Sequence, residues 1–237
     1  MLQTLNLDRI TKRFRLVLET IYALFNEGYA ATGGETQLRQ VVAAEAIHLT
    51  DIFLHTSVTP PTHIGELHAL RALMLLHFAR FQARTDAAGL PLRLQEQDRA
   101  QWNGAMIRAG LAALAASQAS NQVTAFHLEA RIAAEHATSP SFAQTNWPTI
   151  LTLYNQLLLL KGTPEVRLSR VVALYQAEGW AAALCELDQV SVATVAQSFL
   201  LHAIRADLLE AAGRPTAAAA EWQQARINAP TVADRAF

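Results

Sequence analysis

Polar side chains placed where a helix would bury apolar ones are the main chemical signal of this sequence. Asn26-Glu27-Gly28-Tyr29 closes a first helical stretch, and Glu45 falls in the middle of a second apolar stripe, seven residues after Leu38. His77 and Arg80 lie near the end of a third, and Gln95-Glu96-Gln97-Asp98-Arg99 runs ahead of Trp102. A buried carboxylate is costly unless it is paired. Glu27 or Glu45 is therefore expected against Arg80 or Arg99. The set Asn26, Glu27, Tyr29, Glu45, His77, Arg80, Gln97, Asp98, Arg99 and Trp102 has two readings. One is a structural network tying the N-terminal helices together. The other is a small polar pocket for a ligand.

Two carboxylates can in principle do acid–base work. Nothing beside them supplies a nucleophile or an electrophile, so catalysis is not expected. The chain has no Gly-rich phosphate loop, GxSxG elbow, HExxH or CxxC. Histidines gather in the first third, at His48, His55, His63, His68 and His77. Helical metal pairs need i, i+3 or i+4 spacing. His63 and His68 are five apart, which turns them to different faces. No metal or cofactor is expected, and His77 reads as a satisfied core histidine. The single cysteine, Cys185, excludes an intramolecular disulfide. It lies in an Ala/Leu-rich stretch and reads as a small core residue.

Helices must position these groups. Ile10, Phe14, Val17, Leu18, Ile21, Leu24 and Phe25 make one unbroken helical face. Asp8 is the expected N-cap and Gly28 the expected stop, with a loop over 30–35 around Gly33-Gly34. A second helix is predicted from about Thr36 to His55, with Leu38, Val41, Val42, Leu49, Ile52 and Phe53 inward. A third runs from about Ile64 to Arg84, with Leu67, Leu70, Met74, Phe78 and Phe81 inward. Residues 84–94 are irregular, with a turn at 86–89 and room for a short hairpin. Further helices are predicted at about Asp98–Ala116, Val123–His136 and Trp147–Lys161, the last capped by Asn146 with Pro148 in its first turn.

The rest repeats itself. Gly179 and Gly213 are 34 residues apart, and each precedes an Ala-rich helix. Ala206, Gly213, Ala218, Trp222, Ala225 and Pro230 match the small, aromatic and proline positions of a tetratricopeptide repeat. Val172, Gly179 and Leu184 form a looser earlier copy. The fold expected is all-α, antiparallel helical hairpins stacked as a right-handed superhelix, tetratricopeptide-like in the C-terminal third. An N-terminal subdomain is read over 1–137 and the repeats over 146–237, as one continuous body with 137–145 as the only seam.

Composition narrows function. Hydrophobic residues make up 51% of the 237, too many for a disordered chain. The net charge of −1 lacks the basic excess of a phosphate-gripping domain, so direct nucleic-acid binding is not expected. The nearest basic cluster, Arg9, Lys12, Arg13 and Arg15, fits the solvated side of the first helix. The apolar runs 72–76 and 157–160 are too short to span a bilayer. The N-terminal stretch lacks a signal peptide's apolar core, and a cytoplasmic location is expected.

Six segments occur in a fixed order: IYALFNEGYAAT (21–32), AEAIHLTDIF (44–53), LRALMLLHFARFQART (70–85), RLQEQDRAQWN (93–103), NWPTILTLYNQLLLL (146–160) and VRLSRVVALYQAEGWAAAL (166–184). Together they resemble the long C-terminal extension of a group of extracytoplasmic-function (ECF) sigma factors, in which a tetratricopeptide-like domain follows the two sigma domains. The likeness runs from about Ile10 to Pro230. Its departures are Ala100 for Ser, Asn103 for Asp and Phe78 where Asp is frequent. The DNA-reading sigma regions are not visible in this chain.

The resemblance implies a regulatory module in transcription initiation. Its partners would be sigma-factor domains, core RNA polymerase or a regulatory protein, with no nucleic acid or membrane contact of its own. A stand-alone scaffold for a peptide or protein is the alternative. A third reading is a small-ligand sensor built on the polar cluster.

Overall fold

A computed structural model describes residues 2–30, 36–120, 122–190 and 199–229, with side chains described from Arg13 in the first helix and from Arg39 in the second. Of the loop predicted over 30–35, Ala30 is helical and residues 31–35 lie outside the described residues, as does Pro230. All regular structure among the described residues is helical, apart from an isolated antiparallel bridge between Thr85 and Pro91. No described helix is long and apolar enough to cross a membrane. The chain divides into two compact units: Met1–Arg84 with Leu94–Phe142, and Thr85–Arg93 with Ala143–Phe237.

The first unit contains α1 (Leu2–Ala30), α2 (Thr36–His55), α3 (Ile64–Phe78), α4 (Gly104–Ser117) and α5 (Ala125–Thr138). Helix α3 packs against all four others. Eleven of its fifteen residues are buried, so it is a central helix and not an amphipathic one with a single inward face. It ends at Phe78, and the stretch predicted to continue it is instead a 3-10 turn over Phe81–Arg84.

Helix α1 extends beyond both expected ends. Asp8 lies inside it and is not its N-cap, and Gly28 is not its stop. The glycine is there for approach, since a Cβ at 28 would sit 2.5 Å from the backbone nitrogen of Ala43 in α2.

The inward face of α2 also differs from the expected one. It is built from Ala43, Ala46, Ile47 and Thr50, all buried, with Leu49, Phe53 and Leu54 packed at its edges. Val41 and Ile52 are exposed. Glu45 lies about 200° round the helix from Ala43 and is exposed. Close α1–α2 packing selects small side chains, and a stripe read from large apolar residues misses them.

The second unit holds α6 (Trp147–Leu160), α7 (Pro164–Glu178), α8 (Trp180–Gln189), α9 (Phe199–Ala211) and α10 (Pro215–Asn228), each packed on the next. Asn146 caps α6 by accepting from the Thr149 N–H, with Pro148 in the first turn. Gly179 and Gly213 occupy positive φ, 96° and 70°, at equivalent turns. Ala206, Ala218 and Ala225 are fully buried at the hairpin contacts. Partly exposed polar pairs cross three seams: the ion pairs Arg170–Glu186 at 2.6 Å and Arg205–Asp188 at 3.0 Å, and the hydrogen-bonded pair His202–Glu221 at 2.6 Å. Cys185 is exposed, contrary to its expected core role. Helix α8 buries Ala183 and Leu187, and Cys185 lies between them on the opposite side.

The irregular segment over 85–93 is a tight hairpin. Asp86 accepts from the N–H groups of Ala88 (2.9 Å) and Leu90 (2.8 Å), and Gly89 turns the chain at φ 80°. Arg93 then pairs with Asp207 at 2.9 Å.

Candidate functional site

The predicted polar residues separate into two groups. Tyr29, His77, Arg80, Arg99 and Trp102 come together at one end of the first unit. Asn26, Glu27 and Glu45 are exposed on helix surfaces. Neither carboxylate pairs with Arg80 or Arg99, so the expected acid–arginine pairing is absent. Gln97 is buried. Asp98 is exposed and acts locally, its side chain accepting from the Ala100 N–H at 3.0 Å to cap the turn over Arg99–Gln101.

Each element supplies its group for a local reason. Helix α3 closes with Ala79 donating to the Leu75 carbonyl and Arg80 to the His77 carbonyl, which delivers Arg80 and then Arg84 from the following 3-10 turn. The Asn103 side chain caps α4 by accepting from Ala105 and Met106, both at 3.1 Å. Its backbone N–H donates to the Ala79 carbonyl at 2.7 Å. That bond ties the Arg99 turn to the end of α3. Helix α1 contributes Tyr29, and the end of α5 contributes His136.

Two arginines lie over aromatic rings. The Arg84 guanidinium carbon is 3.8 Å from the Tyr29 ring centroid, and one of its nitrogens donates to the Tyr29 carbonyl. The Arg99 carbon is 4.4 Å from the Trp102 centroid. Its Nη1 donates to the carbonyls of His136 (2.7 Å) and Ser139 (2.8 Å). Such stacking fixes a guanidinium plane while leaving its outer N–H groups available.

Positive charge dominates the electrostatics. Burial, with Arg80, Arg84 and His136 adding to it, pushes the His77 imidazole down to about 3. Burial, then Arg80 and Arg99, pushes His136 down to about 4. Burial and Arg80 also depress Arg99. Arg84 is lowered by burial and by Arg80, with Tyr29 opposing. Arg80 is thus felt by all four other basic groups. At neutral pH the imidazoles are uncharged, and three guanidiniums carry the charge. Both expected carboxylates, Glu27 and Glu45, lie outside the cluster.

Arg84 and His136 were missed in the sequence. Arg84 follows Arg80 by four residues, a spacing that could have flagged it. No chain signal links His136 to Arg99, because they meet only through the packing of α5.

A second polar pair was also missed. Glu66, 6% exposed in the first turn of α3, lies 2.9 Å from Nδ1 of buried His63. Nearby His127 caps its own helix by accepting from the Thr124 N–H at 3.1 Å. Burial lowers its pKa against the raising influence of the Ser117 carbonyl and Glu66. Among the described residues no group of three or more His, Cys, Asp or Glu could hold a metal ion.

Residues 13–118 match a family of unknown function, DUF6596. That span includes Tyr29, His77, Arg80, Arg84, Arg99 and Trp102. An uncharacterised protein of Rhizobium meliloti (strain 1021) is 33% identical over 226 residues, which cover 95% of this chain and 52% of the relative. The chain therefore spans about half the length of that curated relative. No solved structure matches the chain.

Proposed function

We propose that this chain is a regulatory, protein-interaction domain of an ECF-type RNA polymerase sigma factor. It modulates transcription initiation through contacts with sigma domains, core RNA polymerase or a regulatory protein, and it acts in the cytoplasm by binding and not by catalysis. The observation that carries this reading is the ordered run of segments from IYALFNEGYAAT (21–32) to VRLSRVVALYQAEGWAAAL (166–184) shared with the extension of such factors. Three further features support it. The helical hairpins of the second unit are of a kind that presents binding surfaces and seldom houses chemistry. The net charge of −1 suits a partner in transcription that leaves DNA to other domains. The 52% coverage of the relative leaves room for such domains in the remainder.

The test is a pull-down of the purified chain against core RNA polymerase and against the sigma domains encoded with it. Saturable binding that survives about 0.3 M salt, where loose surface electrostatics are screened, is the expected result. Failure to bind either would shift the reading to a stand-alone scaffold for another protein.

A further inference from the structure

We propose that Arg80, Arg84 and Arg99, with Tyr29 and Trp102, form a binding site for a small oxyanion, a phosphoryl or carboxylate group. The inference stands independently of the sigma-factor reading, because it concerns a ligand of the first unit and not a macromolecular partner.

Four other partly buried arginines are neutralised by acids: Arg71 has Asp51 at 2.5 Å, Arg93 has Asp207 at 2.9 Å, Arg170 has Glu186 at 2.6 Å and Arg205 has Asp188 at 3.0 Å. Among the described residues no carboxylate lies within ion-pair distance of Arg80, Arg84 or Arg99, and the charges that act on Arg84 and Arg99 include no acid from Asp or Glu. Three guanidiniums gathered without a counter-charge repel one another, and an anion removes that cost.

Arg99 Nη2, Trp102 Nε1 and Tyr29 Oη are buried atoms with no hydrogen-bond partner. Trp102 as a whole is 8% exposed. Buried donors are ordinarily satisfied, and these three belong to Arg99, to the Trp102 ring it lies over and to the Tyr29 ring under Arg84. An oxyanion supplies several acceptor lone pairs at once, and a guanidinium fork matches its geometry bidentately.

Stacking on Tyr29 and Trp102 and the bonds to the Tyr29, His136 and Ser139 carbonyls hold Arg84 and Arg99 in place before any ligand arrives. Ordering cost on binding is correspondingly small. Arg80 is the central charge and has no such tether, so it is the residue to remove.

The experiment is thermal melting of the full chain with sodium phosphate, glycerol 3-phosphate or succinate, against sodium chloride at matched ionic strength. A ligand that binds only the folded state raises the melting temperature saturably. The expected result is such a rise with at least one oxyanion above the chloride control. A response to phosphate and glycerol 3-phosphate assigns a phosphoryl group, and a response to succinate alone assigns a carboxylate. Arg80→Gln is expected to abolish the rise while melting no lower than the parent in chloride, because it relieves repulsion. If Arg80→Gln does not fold, Arg80→Lys keeps the charge but loses the fork, and should weaken the calorimetric Kd at least tenfold. No rise above chloride in the parent chain overturns the proposal. So does a rise that survives unchanged in Arg80→Gln or Arg80→Lys.

Discussion

Arg99 and Trp102, three residues apart in the chain, face each other at 4.4 Å while Arg99 also reaches the carbonyls of His136, in the last turn of α5, and of Ser139 just beyond it. One side chain thereby joins the turn before α4 to the end of α5. Arg99→Ala removes two hydrogen bonds and a ring contact, and should destabilise the chain by about 2 kcal/mol. Arg99→Lys should fall between, since an ammonium cannot serve both carbonyls and lie flat on the indole. Urea unfolding midpoints of the two variants check the order.

Stability should fall as pH is lowered from 7 to 4. His77 and His136 titrate near 6.5 in the unfolded chain but are held down to about 3 and about 4 in the fold. The unfolded state therefore binds more protons throughout that window, and acid favours it. Each imidazole contributes a slope of up to about 1.4 kcal/mol per pH unit there. Denaturant midpoints at pH 7, 6 and 5 should decline, and His77→Gln should flatten the decline. A flat profile in the parent would contradict the burial of these rings.

Glu66→Ala should be costly. It leaves Nδ1 of His63 without its partner at a site where the other ring nitrogen, Nε2, already has none. A loss of about 1–3 kcal/mol is expected from an orphaned buried group. Glu66→Gln keeps an acceptor and should lose less. Differential scanning of both proteins distinguishes them.

Gly28→Ala opposes two effects of known size. Alanine is favoured over glycine in a helix interior by about 1 kcal/mol. The new Cβ, however, would stand 2.5 Å from Ala43 N and 2.7 Å from the Arg39 carbonyl oxygen, both backbone atoms that cannot swing aside. Overpacking of this kind costs about 1–3 kcal/mol. The melting temperature should drop, and a rise would mean that α1 and α2 separate more easily than their contact implies.

Glu45→Gln should leave the melting temperature within the scatter of surface substitutions, about 0.5 kcal/mol. Its carboxylate is exposed on the far side of α2 from Ala43 and Ala46. A large loss would show that Glu45 has a partner after all and would restore the pairing read from the sequence.

Several helix starts and turns are written locally in the chain. Asn146 with Pro148, Gly179 and Gly213 act through bonds and φ angles within a few residues, so their effects are local and legible. The sequence by itself also marked Tyr29, His77, Arg80, Arg99 and Trp102 as polar or aromatic groups out of pattern. Tertiary structure alone decided which faces α2 and α8 bury. Close packing turned α2 onto Ala43 and Ala46 and left Glu45 outside, and α8 turned Ala183 and Leu187 inward and left Cys185 outside. It also decided that the arginines would meet Tyr29, His136 and one another in place of Glu27 or Glu45. Those neighbours lie tens of residues apart in the chain. Their meeting depends on the packing of α1, α3 and α5 at one end of the first unit, which no local spacing encodes.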